Sequence, residues 1–298
     1  MSAPKAGLIT TSSLAFLLGV CRPAPASPPD PSGKAAAIGW AWLDRDAKDS
    51  RECGLSLYVA ESEYDGISSL SRERKDDGER HVVPNGDARL PSRLRFGGLA
   101  IVISKRGLSE VVYESFEVYS EEGSTFLTAS ARATGKKAAS GLVATGAVNP
   151  KARLAVPKGK RVLAKEAAKL LEAVAATATE DTRDDLAKTP LTVEDLQFLG
   201  ARVPASHRLL LAKQLVRPAL DGAPAFWNVG LFLVAADGAL TSLSGSGLSN
   251  SAGFEVSWRT DIDGDGVDEL IVETEWAEGS TSRDALVWNG TKYLTLGL

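Results

Sequence analysis

One acidic loop and the two apolar segments beside it constrain the fold of this chain more than any other feature. Before the loop, residues 254–259 alternate between apolar and polar side chains, which is the two-residue period of a half-buried β-strand. After the loop, residues 269–274 form a β-branched run that also predicts a strand. The pattern therefore predicts a strand–loop–strand hairpin. We expect the apolar side chains of both strands to face one core: Phe254, Val256, Trp258, Leu270 and Val272.

The loop itself carries the pattern D-x-D-x-D-G-x-x-E over residues 261–269. Carboxylates at this spacing, with a glycine at the sharp turn, form an oxygen cage for a hard cation. Like charges about 4 Å apart repel by about 4 kcal/mol per pair at an effective dielectric constant of about 20, so the loop needs a counter-ion. Calcium accepts many oxygen ligands in flexible geometry, which makes Ca²⁺ the predicted ion. The alternative is an acidic turn whose aspartates only accept hydrogen bonds from nearby backbone N–H groups.

The flanking strands decide which kind of cation loop the pattern predicts. An EF-hand closes its cage with a bidentate glutamate at position 12 and lies between two helices. Position 12 of this loop is Val272, and both flanks have strand periodicity. We therefore expect Glu269 to be the last side-chain ligand and the Val267 carbonyl to fill position 7.

The loop with its two strands resembles the calcium loop of FG-GAP and VCBS-type repeats, whose pattern is D-x-[DN]-x-D-G-x-x-[DE] between β-strands. The resemblance covers residues 254–274, and the chain holds one copy of the motif. In that family several copies build the blades of a β-propeller, so a single copy implies one isolated hairpin of this type. The resemblance implies a Ca²⁺ site with four side-chain ligands: Asp261, Asp263, Asp265 and Glu269.

The N-terminus has the features of an export signal. A lysine precedes an apolar stretch that is too short to span a bilayer, and residues 24–26 read Ala-Pro-Ala, a cleavage-site pattern. We expect a signal peptide over residues 1–26 and a proline-rich spacer over 27–34, which predicts a periplasmic or extracellular protein. The alternative is anchoring to the envelope through a lipid on Cys21, whose preceding residues resemble a lipobox. No later segment is apolar enough for a transmembrane span.

The charge and the cysteine content of the chain restrict which partners and which disulfides are expected. The net charge of −4 argues against nucleic-acid binding, which requires a basic face. Once Cys21 is removed or lipidated, Cys53 has no partner for a disulfide, and we expect a partly buried, inert thiol.

Periodicity along the chain predicts an α+β protein that is mostly β, with two antiparallel β regions joined by a helical segment. The β-rich region covers residues 35–135, and Ile38, Trp40 and Trp42 are expected on one face of its first strand, packed in the core. Residues 136–204 comprise a linker and helices, because residues 163–174 carry one apolar face at helical spacing. Residues 205–298 are expected to form one twisted antiparallel sheet or partial barrel, a meander that contains the cation loop.

The functional prediction follows from the loop and from missing catalytic motifs. His81 and His207 have no recognisable catalytic or metal-ligand neighbours, and the serine-rich stretch 244–249 lacks the glycine spacing of a nucleophile elbow. We expect an exported, non-catalytic protein whose calcium loop orders a β-hairpin, in a binding or envelope-associated role toward a protein or carbohydrate. The alternative is a secreted hydrolase whose acid pair assembles only in the fold.

Overall fold

The computed structural model describes residues 36–43, 49–58, 61–72, 79–121, 124–219, 225–243, 247–275 and 280–298. The segments predicted to be a signal peptide and a spacer, together with Cys21, lie outside these residues. Strands predominate, every sheet is antiparallel, and the C-terminus is a meander, which confirms the predicted fold class. Among the described residues, no helix combines the length and apolar character that crossing a bilayer requires.

The N-terminal region is a closed six-stranded barrel. Its strands are β1 (Ala36–Trp42), β2 (Glu52–Leu57), β4 (Leu99–Ser104), β5 (Gly107–Glu121), β6 (Ser124–Ala133) and β7 (Gly141–Thr145). They run in the order β5-β4-β7-β1-β2-β6, and β6 pairs again with β5, which closes the ring. The short strand β3 (His81–Val82) adds to β5. Closure removes the free sheet edges that would otherwise invite aggregation.

Two elements of the barrel were not predicted. Helix α1 (Glu61–Arg72) lies within the region that the sequence assigned to strands, and its Ile67 and Leu70 belong to the barrel core. Strand β7 lies within the segment 136–160 whose composition predicted a linker. Its side chains alternate, with Val143 in the barrel core and Leu142 on the outer surface of the barrel, where it packs against the C-terminal meander.

The middle of the chain forms a sheet of six strands that two helices cover. Five of the strands lie in one continuous row, which we call the five-stranded sheet. The elements are β8 (Gly159–Arg161), α2 (Ala164–Ala176), α3 (Glu180–Lys188), β9 (Leu196–Leu199), β10 (Arg208–Arg217), β11 (Phe226–Val234) and β12 (Leu240–Ser242). The strand order is β12-β11-β10-β9-β8, and β13 (Ser249–Ser251) pairs with the other end of β11. Leu170 and Val174 of α2 pack on Leu210 and Phe232 of the sheet. The helical prediction over residues 163–174 is confirmed.

The C-terminal meander is a separate four-stranded sheet of β14 (Gly253–Thr260), β15 (Glu269–Glu275), β16 (Thr281–Trp288) and β17 (Tyr293–Gly297). The prediction of one sheet from residue 205 onward is therefore wrong, because β10, β11 and β12 belong to the five-stranded sheet and β13 pairs with its strand β11. The meander lies between the two other units. Leu270 packs against the five-stranded sheet and Ile271 against the barrel, so β15 is buried on both faces.

Two β-bulges overturn predictions that relied on strict alternation. A register shift between Val256 and Trp258 moves Trp258 to the barrel side, while Phe254 and Val256 face the five-stranded sheet. A bulge adds one residue to a strand, so every side chain beyond it changes face. A second shift, between Ala37 and Gly39, does the same in β1. The predicted common face of that strand divides accordingly, with Ile38 inside the barrel, Trp40 buried against the meander and Trp42 39% exposed.

Candidate metal centre

The acidic loop connects β14 to β15 and is fixed on both sides by neighbouring units. Asn149, which follows the barrel strand β7, donates its backbone N–H to the carbonyl of Ile262 at 2.6 Å and its amide to the carbonyl of Asp261 at 3.2 Å. At the other end of the loop, the Asp268 N–H donates to the carbonyl of Arg202, just after β9, at 2.7 Å. The backbone of the loop is therefore held in place by both the barrel and the five-stranded sheet.

Three aspartates of the loop form a carboxylate cluster. Asp261 is 6% exposed, Asp263 is half-buried and Asp265 is exposed. One oxygen from each lies within 4.8 Å of the others, so the three carboxylates could hold a metal ion between them. The structure thus brings together three of the four predicted side-chain ligands.

Hydrogen bonds within the loop orient these carboxylates. Asp261 Oδ1 accepts from the Gly264 N–H at 2.7 Å, Asp263 Oδ1 accepts from the Asp265 N–H at 3.0 Å, and Asp265 Oδ1 accepts from the Val267 N–H at 2.7 Å. Gly264 and Gly266 have φ of +82° and +89°, a region that glycine adopts without steric cost. The Asx-turns of the alternative interpretation are therefore present, and each engages one oxygen of its carboxylate, which leaves the second available to other partners.

Glu269 lies behind the cluster and is 2% exposed. Its Oε2 accepts a hydrogen bond from the Ile262 N–H at 2.8 Å. Burial raises the pKa of Glu269 to about 8, and the nearby charges of Asp263 and Asp265 contribute to the rise. Burial also raises the pKa of Asp265, with Asp263 and Asp261 adding to it. Burial is the main cause of both shifts, and the neighbouring carboxylates add to it. Ligation by Glu269 and by the Val267 carbonyl stays a prediction.

Asp268 faces away from the cluster and carries a separate ion-pair network that sequence reasoning missed. Its side chain is fully buried. Arg202 contacts Oδ1 through Nη2 at 2.7 Å and Nε at 3.0 Å, and it also donates its backbone N–H to Oδ2 at 2.8 Å. Arg259 Nη1 donates to Oδ2 at 2.7 Å. Because Arg202 lies 66 residues away in sequence, no local pattern could have identified this pairing.

Arg202 also reaches the cluster itself. Its Nη2 lies 3.2 Å from Asp261 Oδ2, while the same nitrogen contacts Asp268. The Arg202 side chain is 55% exposed, whereas the two carboxylates that it joins are buried. One guanidinium therefore bridges the ion-pair network and the candidate metal ligands.

A shallow cleft of about 360 Å³ lies on the five-stranded sheet, away from the loop. Its acidic residues are Glu194 and Asp195, in the turn before β9, and its floor includes Lys213 and Trp227. The Asp195 carboxylate accepts hydrogen bonds from both the N–H and the hydroxyl of Thr192 in a capping box. Lys213 Nζ donates to the carbonyl of Phe254 and lies 4.6 Å from the centre of the Trp227 ring. The Asp195 and Lys213 side chains are thus engaged in local structure.

Comparisons with protein-family models, with curated proteins and with solved structures find no match to this chain.

Proposed function

We propose that this chain is an exported, non-catalytic protein in which Ca²⁺ binds the loop 261–269 and orders the β14–β15 hairpin. The observation that supports the proposal is the convergence of three carboxylate oxygens within 4.8 Å of one another. Hydrogen bonds within the loop orient these carboxylates. The proposed ligands are the side chains of Asp261, Asp263, Asp265 and Glu269 and the carbonyl of Val267.

The donor set favours calcium over other ions. All the proposed ligands are oxygen atoms, which suit hard cations and not the softer metals that histidine or cysteine would bind. The three aspartates range from buried to exposed, and two glycines shape the loop. This irregular set fits the flexible, high-coordination geometry of calcium better than the rigid octahedron of magnesium.

The position of the loop explains what the ion would do. The hairpin belongs to the middle of three packed units, and the loop contacts the barrel through Asn149 and the five-stranded sheet through Arg202. An ion that neutralises the carboxylates would remove their mutual repulsion and hold both contacts in register. The role that follows is structural, in a protein that binds another protein or a carbohydrate outside the cytoplasm.

The hydrolase alternative has less support. The described cleft contains two carboxylates, but Asp195 is hydrogen-bonded to Thr192, and Glu194 is its immediate neighbour in the chain. An acid pair that acts on opposite sides of a glycosidic bond is about 5–10 Å apart across the substrate. Two adjacent residues of one short turn provide no such arrangement around a bond.

Isothermal titration with calcium tests the proposal on the full chain, with Asp265→Ala and Asp237→Ala as a matched pair. Asp237 forms the same kind of turn, with Oδ1 accepting from the Ala239 N–H at 2.9 Å, but it lies outside the cluster. We expect one Ca²⁺ per chain with a Kd of about 0.1–1 mM. Asp265→Ala should abolish binding and Asp237→Ala should retain it. Equal behaviour of the two variants would contradict the ligand assignment.

A further inference from the structure

We infer that Arg202 competes with the bound cation for Asp261 and thereby sets the calcium affinity of the loop. The inference rests on the proposed function, since it concerns the regulation of the same site. It names a residue that lies outside the loop and outside the motif.

The geometry places Arg202 on one of the metal ligands. Arg202 Nη2 lies 3.2 Å from Asp261 Oδ2, while Asp261 Oδ1 accepts the Gly264 N–H. Both oxygens of this carboxylate are therefore engaged. Asp261 is also the most buried of the three clustered aspartates. A cation that takes Asp261 as its first ligand through Oδ2 must share that oxygen with the guanidinium or displace it.

Displacement does not remove the positive charge from the site. The guanidinium of Arg202 donates two hydrogen bonds to Asp268, of 2.7 and 3.0 Å, the Arg202 backbone N–H donates a third of 2.8 Å, and Asp268 is fully buried. The guanidinium can leave Asp261 only by a small rotation, so it stays close to the bound ion. A fixed positive charge within a few ångströms of a divalent cation weakens its binding.

Arg259 provides an internal comparison. It also pairs with Asp268, through Nη1 at 2.7 Å, but its ion pairs within the described part of the chain do not include Asp261. Removing either arginine takes one positive charge away from Asp268 and loosens the hairpin. Only the removal of Arg202 frees Asp261. The two effects can therefore be separated by the direction in which the calcium affinity changes.

The test compares Arg202→Gln with Arg259→Gln by isothermal titration with calcium chloride. Loss of structure would weaken binding in both variants, whereas competition predicts that Arg202→Gln binds about tenfold more tightly than the native chain. Arg259→Gln should change the affinity by about threefold or less, because its charge is not in contact with a ligand. Native binding with equal or weaker binding by Arg202→Gln would overturn the inference and leave the proposed function standing. Binding by Arg202→Gln but not by the native chain would support the inference and overturn the proposed function, and binding by neither would overturn both.

A second measurement uses the native chain in case Arg202→Gln does not fold. Side-chain N–H resonances of the arginines are followed during a calcium titration, with Arg202→Lys to assign the Arg202 signal. Competition predicts a calcium-dependent shift of the Arg202 signal with the midpoint of binding, and little change at Arg259. An Arg202 signal that stays constant while calcium binds would contradict the inference.

Discussion

The substitution Asp268→Asn tests how strongly the buried ion-pair network supports the hairpin. Each carboxylate oxygen of Asp268 accepts two hydrogen bonds. Oδ1 accepts from Arg202 Nε and Nη2, and Oδ2 accepts from the Arg202 backbone N–H and from Arg259 Nη1. An asparagine side chain would turn its NH₂ group toward one of these donor pairs, whichever way the amide is rotated. The substitution therefore leaves unpaired donors around a site that is fully buried.

The size of the loss in unfolding free energy depends on how far the arginine partners of Asp268 are exposed to solvent. Breaking a fully buried ion pair by changing one partner costs about 3–5 kcal/mol. The arginine side chains are 55% and 29% exposed, so solvent compensates part of the loss. We expect Asp268→Asn to lower the free energy of unfolding by about 2–4 kcal/mol. In a chain of 298 residues the melting temperature would fall by about 3–6 °C.

Denaturant unfolding of native protein, Asp268→Asn and Asp237→Asn, each in excess chelator, measures the effect without any bound ion. Asp237 makes one exposed turn hydrogen bond, so its change should cost less than about 1 kcal/mol. A loss at Asp268 no larger than the loss at Asp237 would show that the ion pairs contribute little, and the account of the loop's attachment to the five-stranded sheet would be wrong.

Three further predictions follow from the structure and the sequence. Gly266→Ala should lower the free energy of unfolding by about 1–2 kcal/mol and weaken calcium binding, because Gly266 has a φ of +89° that alanine adopts only with strain. Gly135→Ala is the control: a side chain meets open space at both positions, but Gly135 has no such φ, so this substitution should be near neutral. Equal effects of the two substitutions would show that the φ of Gly266 is not the cause. Burial raises the pKa of the Cys53 thiol to about 11, so a maleimide at neutral pH should label Cys53 only after the protein unfolds. Peptide mass mapping measures the labelling, and rapid labelling of the folded protein would contradict the placement of Cys53 in the barrel core. Mass spectrometry of the exported protein should find a chain that begins at Ser27, and a lipid on Cys21 would instead establish envelope anchoring.

The sequence predicted most strands but not which face of each strand is buried. A bulge changes the register of a strand, and the alternation of apolar and polar residues does not reveal it. The unbroken pattern at Phe254, Val256 and Trp258 predicted one buried face, yet the bulge before Trp258 sends its ring to the barrel, where Lys105 lies 4.3 Å from the ring centre. The same effect separates Ile38 from Trp40. In each case two packed units compete for the strand, and the bulge lets one strand supply side chains to both.

Helix α1 and strand β7 were also not predicted from the sequence. Helix α1 contains Gly66 and several serines, which lower helix propensity, and it contributes Ile67 and Leu70 to a core built mainly by strands. Strand β7 lies in a segment rich in glycine, alanine and lysine, a composition that favours linkers, but it pairs with both β1 and β4 to close the barrel. Strand β7 is stabilised by partners that are distant in sequence.

The candidate site was predicted better than its surroundings. The spacing of the three aspartates is a local property, so their convergence could be expected from the sequence. Arg202, Arg259 and Asn149 come from other parts of the fold or serve other contacts, and no motif marks them. The sequence therefore predicted the cluster of three aspartates but not the arginines and the asparagine that hold the loop.

A calcium titration of thermal stability tests the central claim most directly. With a Kd of about 0.1–1 mM, 10 mM calcium should stabilise the native chain by about 1.4–2.7 kcal/mol relative to chelator. The melting temperature should rise by about 2–4 °C, and magnesium at the same concentration should do less. A melting temperature that is identical in calcium and in chelator would contradict the account and leave the loop as an acidic turn stabilised by its own hydrogen bonds.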